Sequence, residues 1–144
     1  MPDAPRSFLI HATTVSDRGR ALIIRGASGS GKSSLALRLL ALGADLVSDD
    51  QTLVSPQPDG PPLVSAPPAI SGLIEAWGLG LLAVDPVRAR AAAILDLDLA
   101  ATARMPTDQT ETLAGYDLPL LHNAESPHFT SALLLYLRGG KADR

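Results

Sequence analysis

The chain has 144 residues, of which 46% are hydrophobic and 19% are charged, a composition that fits one globular domain with a sizeable core and excludes a disordered protein. Its formal charge of -3 at pH 7 lacks the basic excess that sequence-independent nucleic-acid binding requires, so no nucleic-acid partner is expected. The chain has no cysteine and no apolar stretch of the roughly 18 residues that a membrane span needs, so we expect a soluble cytoplasmic protein without thiolate metal sites or membrane contact.

The N-terminal region predicts a β-hairpin followed by a helix. Ser7 to Val15 is rich in residues that favour strands, residues 17–19 carry an Asp-Arg-Gly turn signal, and Ala21 to Ile24 is an apolar run typical of a buried strand. After a glycine-rich stretch, Lys32 to Leu42 has a helical composition and stops at Gly43, a residue that favours helix termination.

Two strands are predicted next, around residues 45–47 and 51–55. The following segment, residues 56–62, holds four prolines and an Asp-Gly pair, so we expect no regular structure within it. We interpret it as the connection of a β-hairpin and not as an interdomain linker, because neither side of it would make a convincing independent domain.

The second half of the chain predicts one alternating strand and a C-terminal helix. Residues 95–99 alternate leucine with aspartate, which is typical of a half-exposed strand whose aspartates face solvent. Residues 102–115 are polar and loop-like, and residues 126–127, Ser-Pro, are interpreted as the N-cap and first position of a helix over 130–138. We therefore predict an α/β fold in a single domain, residues 1–144, with a central, mostly β sheet and two packed helices.

A glycine-rich loop between the predicted strand and helix is the strongest functional signal. It matches G-x-x-x-x-G-K-[ST] in the required strand-loop-helix context. Glycines let consecutive backbone N–H groups curl around a polyphosphate, and the helix N-terminus favours the anion. The lysine adds a cation for the phosphates and the serine offers a hydroxyl to Mg²⁺. We predict a nucleotide site formed by Gly26, Ala27, Ser28, Gly29, Ser30, Gly31, Lys32 and Ser33.

An aspartate pair, Asp49-Asp50, ends the short strand after this helix. Alone, such a pair is more often a solvated turn. Because it follows a phosphate loop closely, we expect the sheet edge to bring both carboxylates beside the nucleotide. One acid can then help to hold Mg²⁺, and the other can take a proton from an incoming hydroxyl.

Four other polar positions give weaker signals. His11 lies on the N-terminal β-run, where a lone histidine is ordinarily a half-buried side chain. Glu75 lies in an otherwise apolar stretch, so we expect it to have a cation or arginine partner. His122 and His128 have no third ligand at a sensible spacing, and neither is assigned a role.

The loop motif, the preceding His11 and the stretch Leu46-Val47-Ser48-Asp49-Asp50 together resemble the catalytic domain of bacterial HPr kinase/phosphorylase. The resemblance runs from about Phe8 to Leu121 and is strongest between His11 and Asp50. It implies a phosphate-loop fold related to that of the PEP carboxykinase-type kinases. The short chain is similar to compact forms found in some α-proteobacteria, which lack the extra N-terminal domain of longer members.

The resemblance implies specific roles for the matched residues. His11 matches the active-site histidine, Lys32 the phosphate-loop lysine and Ser33 the magnesium-binding serine. Asp50 matches the aspartate that acts as general base in phosphorylation and as general acid in the reverse reaction. Its neighbour Asp49 is expected to join the metal site.

A second set of positions carries the resemblance less completely. Glu75 looks like the acid of the E-x-R-G-x-G signature, which also touches Mg²⁺, but Trp77 stands where that signature has arginine. Arg104 is similar to a later catalytic arginine and could replace the missing cation. The P-G-R-N-like stretch that serves phosphorolysis is missing after Leu118, so we expect the reverse reaction to be weak.

The resemblance implies an ATP- and Mg²⁺-dependent serine kinase that phosphorylates HPr, the phosphocarrier of the phosphotransferase system, or an HPr-like paralogue. It also implies assembly into a homo-oligomer, a hexamer in the family. Another P-loop kinase or NTPase remains an alternative, although the N-K-x-D motif of GTPases and the L-S-G-G-Q motif of transporter ATPases are absent. A non-catalytic regulator that binds nucleotide and HPr is the other alternative.

Overall fold

The computed structural model describes residues 6–141 as a mixed α/β protein. Its strands are β1 (Phe8–His11), β2 (Thr13–Asp17), β3 (Arg20–Arg25), β4 (Asp45–Ser48), β5 (Gln51–Gln57), β6 (Gly60–Ser65), β7 (Leu73–Ala76), β8 (Gly80–Ala83), β9 (Ala89–Ala100), β10 (Thr110–Leu113) and β11 (Tyr116–Asn123). Its helices are α1 (Lys32–Ala41) and α2 (Phe129–Gly139), and a 3₁₀ turn covers Pro68–Ile70. Neither α1 nor α2 has the length and hydropathy that crossing a membrane requires.

Nine of these strands form one branched sheet. Seven of them follow the order β1-β5-β6-β9-β3-β2-β4, and β10 and β11 form a branch attached to β9. The long strand β9 lies parallel to β3, and β11 pairs with the second half of β9, also in parallel. The remaining neighbours are antiparallel, including the β10–β11 hairpin. The strands β7 and β8 form a separate two-stranded hairpin.

The central strand β3 is buried on both faces, because alternate side chains point to opposite sides of a sheet. Leu22 and Ile24 join the apolar cluster that contains residues of α1 and α2. Ile23 belongs to a second cluster, on the other face, together with Ile94 of β9 and Leu118 of β11. This double burial explains why β3 is continuously apolar, and it fixes the place where the strand delivers the glycine-rich loop.

An ion pair attaches α2 to the sheet. The guanidinium of Arg138 donates from Nε and one terminal nitrogen to the two carboxylate oxygens of Asp17, over 3.2 and 3.1 Å. Asp17 is buried at the end of β2, so its charge requires such a partner. The pair therefore holds the C-terminal helix against the hairpin of β2 and β3.

The predicted N-terminal elements are confirmed with shifted bounds. The hairpin consists of β2 and β3, but the β-rich run that starts at Ser7 divides at Ala12, and its first part, β1, pairs with β5 instead. Residues 56–62 do connect a hairpin, yet the strands β5 and β6 extend into this segment from both sides. The prediction that residues 56–62 lack regular structure is wrong. The pairing of β5 with β6 continues to Gln57 and Gly60, and a register irregularity after Ser55 accommodates the prolines.

The C-terminal predictions need larger corrections. Residues 102–115 were expected to be a loop, whereas β10 lies within them and pairs with β11. The last helix starts at Phe129, with His128 at its N-cap position, so Ser126 and Pro127 precede the helix and do not cap it. Instead, the Ser126 hydroxyl contacts the His128 ring at 2.7 Å.

Candidate functional site

The glycine-rich loop connects β3 to α1 and depends on glycine at two positions. A Cβ atom at Gly26 would lie 2.7 Å from Ser30 Oγ and 3.2 Å from Leu97 Cβ, so a side chain there would force these neighbours to shift. Gly31 precedes α1 with φ of 100°, a left-handed conformation that side-chain-bearing residues disfavour. No side chain caps the first turn of α1, which leaves its N–H groups available to bind an anion.

Lys32 closes this loop from within. Its ammonium donates to the carbonyl oxygens of Gly26 and Ala27, at 3.0 and 3.2 Å. The residue is only 7% exposed, so the cation is held over the loop and does not extend into solvent. A polyphosphate that entered the loop would meet a positive charge already in place.

Ser30 supplies an unpaired polar group in the same loop. Its hydroxyl is buried and has no hydrogen-bond partner among the described residues. Buried hydroxyls are rarely left unpaired, because the lost hydrogen bond costs free energy. The loop therefore fits an oxygen-rich ligand that would provide the missing partner.

Asp49 is the buried centre of the site. Its Oδ1 accepts from Ser33 Oγ at 2.7 Å and from Thr13 Oγ1 at 3.0 Å, and its Oδ2 accepts from the Glu75 backbone N–H at 3.1 Å. These donors come from α1, β2 and β7 respectively. The three donors satisfy the oxygens of a carboxylate that is only 8% exposed, as buried polar atoms require.

Asp50 points the other way, toward solvent. Its backbone adopts a left-handed conformation with φ of 67°, which turns its side chain away from the side chain of Asp49. Its Oδ1 lies 2.8 Å from His11 Nε2, with 51% of the histidine and 68% of the aspartate side chain exposed. The two adjacent carboxylates thus occupy different environments, one closed and one open.

Thr13 joins these two environments, and the sequence analysis missed it. Its hydroxyl donates to Asp49 and also accepts from the Asp50 N–H, at 3.1 Å. Thr13 is fully buried. No motif marks Thr13. The sequence offers one weak signal, which is the position of Thr13 two residues after His11.

The structure brings together most of the predicted site residues, but two of them behave differently from the prediction. Glu75 contributes its backbone N–H, while its carboxylate is exposed and has no arginine or lysine partner within residues 6–141, so the expectation of an arginine partner is wrong. Exposure removes the desolvation cost on which that expectation rested. Arg104 lies in an exposed connection and makes no hydrogen bond or ion pair with any described residue. Trp77, at the β7–β8 turn, is 97% exposed.

A second charged network supports the loop from the side of β9. Arg25, the last residue of β3, pairs with Asp96 at 3.0 Å and with both carboxylate oxygens of Glu111 on β10. The hydrogen bonds that Arg25 donates to Glu111 are the largest cause that raises the pKa of Arg25 above its ordinary value. Asp98 accepts from the Ala27 N–H at 2.8 Å.

The expectation that the aspartates of β9 face solvent is therefore wrong for Asp96 and confirmed for Asp98. Asp96 is mostly buried, with 15% of its side chain exposed, because it neutralises Arg25. Asp98 is exposed but holds the loop backbone. Within the described part of the chain, no three histidine, aspartate or glutamate side chains are grouped as a metal site.

Comparison with known proteins identifies the family. The family described as HPr Serine kinase C-terminal domain matches residues 4–96, which include the loop, both aspartates and Glu75. The chain belongs to this family. Two curated relatives, both named HPr kinase/phosphorylase, come from Lacticaseibacillus casei and Mycoplasmopsis pulmonis. They are 39% identical over 75 residues and 44% identical over 73 residues, about half of this chain.

These relatives are much longer proteins. The matched regions cover 52% and 51% of this chain but 24% and 23% of the two relatives, so the likeness concerns about a quarter of their length. A solved structure, the Hpr(Ser) kinase/phosphatase from Coxiella burnetii, superposes with a TM-score of 0.74 over 91% of this chain and 88% of that chain. At 20% identity, this match establishes the mixed α/β fold for nearly the whole chain.

Proposed function

We propose that this chain is a serine kinase domain that transfers the γ-phosphoryl group of ATP to HPr or an HPr-like phosphocarrier protein. The observation that carries the proposal is the division between the two adjacent aspartates. Asp49 is closed against Ser33 at the phosphate loop, whereas Asp50 is open and paired with His11. Phosphoryl transfer needs both environments, one for the metal-phosphate group and one for the attacking hydroxyl.

The triphosphate would bind to the glycine-rich loop from Gly26 to Gly31. The unpaired N–H groups of the first turn of α1 and the Lys32 ammonium would hold the β- and γ-phosphates. The buried Ser30 hydroxyl gains a partner in this arrangement. The proposal thus includes a phosphate-loop fold related to that of the PEP carboxykinase-type kinases.

Ser33 and Asp49 fit Mg²⁺, because a hydroxyl and a carboxylate 2.7 Å apart offer the hard oxygen ligands that this ion takes together with phosphates and water. We assign the metal to these two residues, with Glu75 as a nearby acid. When bound, Mg²⁺ offsets the negative charge of the phosphates. Two or three protein oxygens suffice for it, since its remaining ligands are water and phosphate oxygens.

Asp50 is assigned as the general base. As the seryl oxygen bonds to the γ-phosphorus, the bond from that phosphorus to the bridging oxygen of ADP breaks, and the seryl proton passes to an Asp50 carboxylate oxygen. His11 holds that carboxylate through the 2.8 Å contact, and Thr13 fixes the backbone of Asp50 from below. The exposure of the pair leaves room for a serine that belongs to another protein.

The choice of HPr rests on the family and on the names of the relatives, which are HPr kinase/phosphorylases. We further propose that residues 1–144 act as one catalytic domain in the cytoplasm and form a homo-oligomer. Trp77 stands where the family signature has arginine, so we propose that the reverse phosphorolysis is weak. We also propose that Arg104 approaches the phosphates only when nucleotide is bound.

The test is incubation with labelled ATP, Mg²⁺ and the HPr-like protein of the host, followed by mass mapping of the phosphorylated residue. Lys32→Ala should lose both ATP binding and transfer, because the lysine meets the phosphates in the ground state. Asp50→Asn should keep ATP affinity within about twofold and lower turnover by at least about a hundredfold, the usual range for a general base. Asparagine tolerates the left-handed backbone of this position, so the variant should fold.

Asp45→Asn is the matched control for the charge change, since Asp45 is exposed on β4 and outside the site. It should leave binding and transfer unchanged. Equal loss of ATP affinity in Lys32→Ala and Asp50→Asn would remove Asp50 from the role of base. Nucleotide binding without any phosphorylated serine on HPr would favour the non-catalytic regulator.

A further inference from the structure

Asp98, an exposed residue near the end of β9, has no role in the reaction described above, yet it contacts the glycine-rich loop directly. Its Oδ2 accepts from the Ala27 backbone N–H at 2.8 Å. We propose that Asp98 is a positioning residue for nucleotide binding, which holds the start of the loop in the shape that receives the phosphates. The inference rests on the proposed function, because it concerns the same phosphates.

The Asp98 carboxylate continues the pairing of β3 with β9 beyond the point where the strands stop. The two strands pair in parallel as far as Arg25 and Asp96, the last pair of their ladder. After this pair the chain leaves the sheet and enters the loop. A side-chain carboxylate reaches further than a backbone carbonyl, so Asp98 can accept from the Ala27 N–H although β3 has already ended.

The backbone of Asp98 is itself held in place. Asp96 Oδ1 accepts from the Asp98 N–H at 2.9 Å, while Asp96 Oδ2 accepts from Arg25 Nε at 3.0 Å. Arg25 in turn pairs with Glu111 on β10. Because these bonds fix the backbone from which the Asp98 side chain extends, its carboxylate can order the loop before a ligand arrives, which lowers the entropy cost of binding.

Ala27 transmits the position of Asp98 to the cation of the site. The Ala27 carbonyl oxygen accepts from Lys32 Nζ at 3.2 Å and from the Ser30 N–H at 3.0 Å. Ala27 is therefore held through its N–H by β9 and through its carbonyl by the lysine that would meet the phosphates. Loss of the bond from Asp98 would free Ala27 to shift and would displace the Lys32 ammonium with it.

An aspartate at this place has two opposite effects on a polyphosphate. An ionised carboxylate forms a stronger hydrogen bond than a neutral acceptor, but its negative charge beside the loop repels an anion. Asp98→Asn keeps an acceptor for the Ala27 N–H and removes the charge, so the two changes offset each other. Asp98→Ala removes the acceptor as well, so the difference between the two variants measures the positioning bond.

Calorimetric titration of the full chain with Mg²⁺-ATP and with Mg²⁺-tripolyphosphate tests the inference. Asp98→Ala should weaken the binding of both probes by about tenfold, the equivalent of one hydrogen bond to a charged group, because Asp98 acts on the loop. Asp98→Asn should keep both affinities within about twofold of the wild type. Asp45→Ala and Asp45→Asn are the matched controls, since Asp45 is an exposed aspartate of β4 outside the site, and they should change neither affinity.

The labelled-ATP assay separates a positioning role from a merely structural one. Asp98→Ala should raise the KM for ATP by about tenfold and leave kcat at saturating ATP within about twofold, because Asp98 touches no reacting atom. A merely structural role would lower the amount of active protein, and with it kcat, at an unchanged KM. Rescue of the KM by Asp98→Asn would show that the acceptor, and not the charge, is what the loop requires.

Three results overturn the inference. Asp98→Ala could keep the affinities of the wild type, Asp98→Asn could weaken binding as much as Asp98→Ala, or ATP could weaken while tripolyphosphate does not, which would place the effect outside the phosphates. Failure of the proposed function looks different. If the variants follow the expected binding pattern but no serine is phosphorylated, the kinase function falls and the positioning role stands; if the wild type binds neither probe, both fall.

Discussion

Thr13→Val tests whether one buried hydroxyl organises both aspartates. The variant keeps the shape of the side chain but removes a donor to the charged Asp49 and an acceptor for the Asp50 N–H. A hydrogen bond to a charged group contributes about 1.5–3 kcal/mol, and a buried polar group left unpaired costs about 1–3 kcal/mol. Because Asp49 retains two other donors, we expect the lower part of the combined range, about 3 kcal/mol of lost stability.

Thr14→Val is the control, one residue further along β2 and equally buried. Its hydroxyl lies 2.9 Å from Thr52 Oγ1, which also donates to the Ala12 carbonyl oxygen. Removal of this neutral contact leaves Thr52 paired, so we expect a loss of only about 1 kcal/mol. The difference between the two variants should therefore be about 2 kcal/mol.

Urea denaturation followed by circular dichroism measures both free energies of unfolding with one assay. In thermal unfolding, the same difference should appear as a midpoint about 6 °C lower for Thr13→Val than for Thr14→Val, for a chain of this size. Equal losses in the two variants would show that the Thr13 hydroxyl is worth no more than an ordinary buried hydroxyl. The account of the site as two carboxylates joined by Thr13 would then be wrong.

Three further predictions concern the surroundings of the site. Gly26→Ala should abolish nucleotide binding and destabilise the fold, because its Cβ would collide with Ser30 Oγ. Gly29→Ala is the control: it has open space around it and should lose only roughly 1 kcal/mol of stability, from its left-handed backbone. Nucleotide titration measures the effect on binding, and urea denaturation measures the effect on stability. Trp77→Arg should leave the free energy of unfolding within about 0.5 kcal/mol, since the side chain is almost fully exposed, and should raise the rate of phosphoryl transfer in the labelled-ATP assay; an unchanged rate would mean that the signature arginine is not what this site lacks. Arg25→Gln should destabilise the fold by about 2 kcal/mol, discounted for partial exposure. Because the pKa of Arg25 is raised in the fold, its contribution to stability is present at pH values below its titration and is lost only as pH rises through the folded-state pKa. The difference in free energy of unfolding between wild type and Arg25→Gln should therefore be constant from about pH 6 to 9. A difference that shrinks toward pH 9 would contradict the ion-pair role of Arg25.

Local features of the sequence were sufficient to predict the strand, the glycine-rich loop and the helix from β3 to α1. The run from Ala21 to Leu42 combines an apolar strand, a fixed glycine spacing and a helical segment, and each signal lies within a few residues of the next. The adjacency of Asp49 and Asp50 was likewise visible. These predictions succeed because the backbone conformation there depends on glycine and on short-range periodicity.

The β10–β11 hairpin could not be predicted in the same way. Residues 102–115 are polar, and Pro119 interrupts the following run, so neither strand shows a clear alternation. The strand β11 depends on its parallel pairing with β9, an element from much earlier in the chain, and β10 depends on its pairing with β11 and on the Arg25–Glu111 bonds. Such pairing is a property of the assembled sheet, and propensity alone does not reveal it.

The sequence by itself determined which chemical groups the candidate site contains: a glycine-rich loop, a lysine, a serine and two neighbouring aspartates. The tertiary structure decided their different environments. Thr13 reaches Asp49 and Asp50 from β2, 36 positions before Asp49 in the sequence. The Glu75 N–H reaches Asp49 from β7, 26 positions after it. Burial and hydrogen bonding arise only when distant strands pack together, so two adjacent residues of the same type become one closed and one open carboxylate.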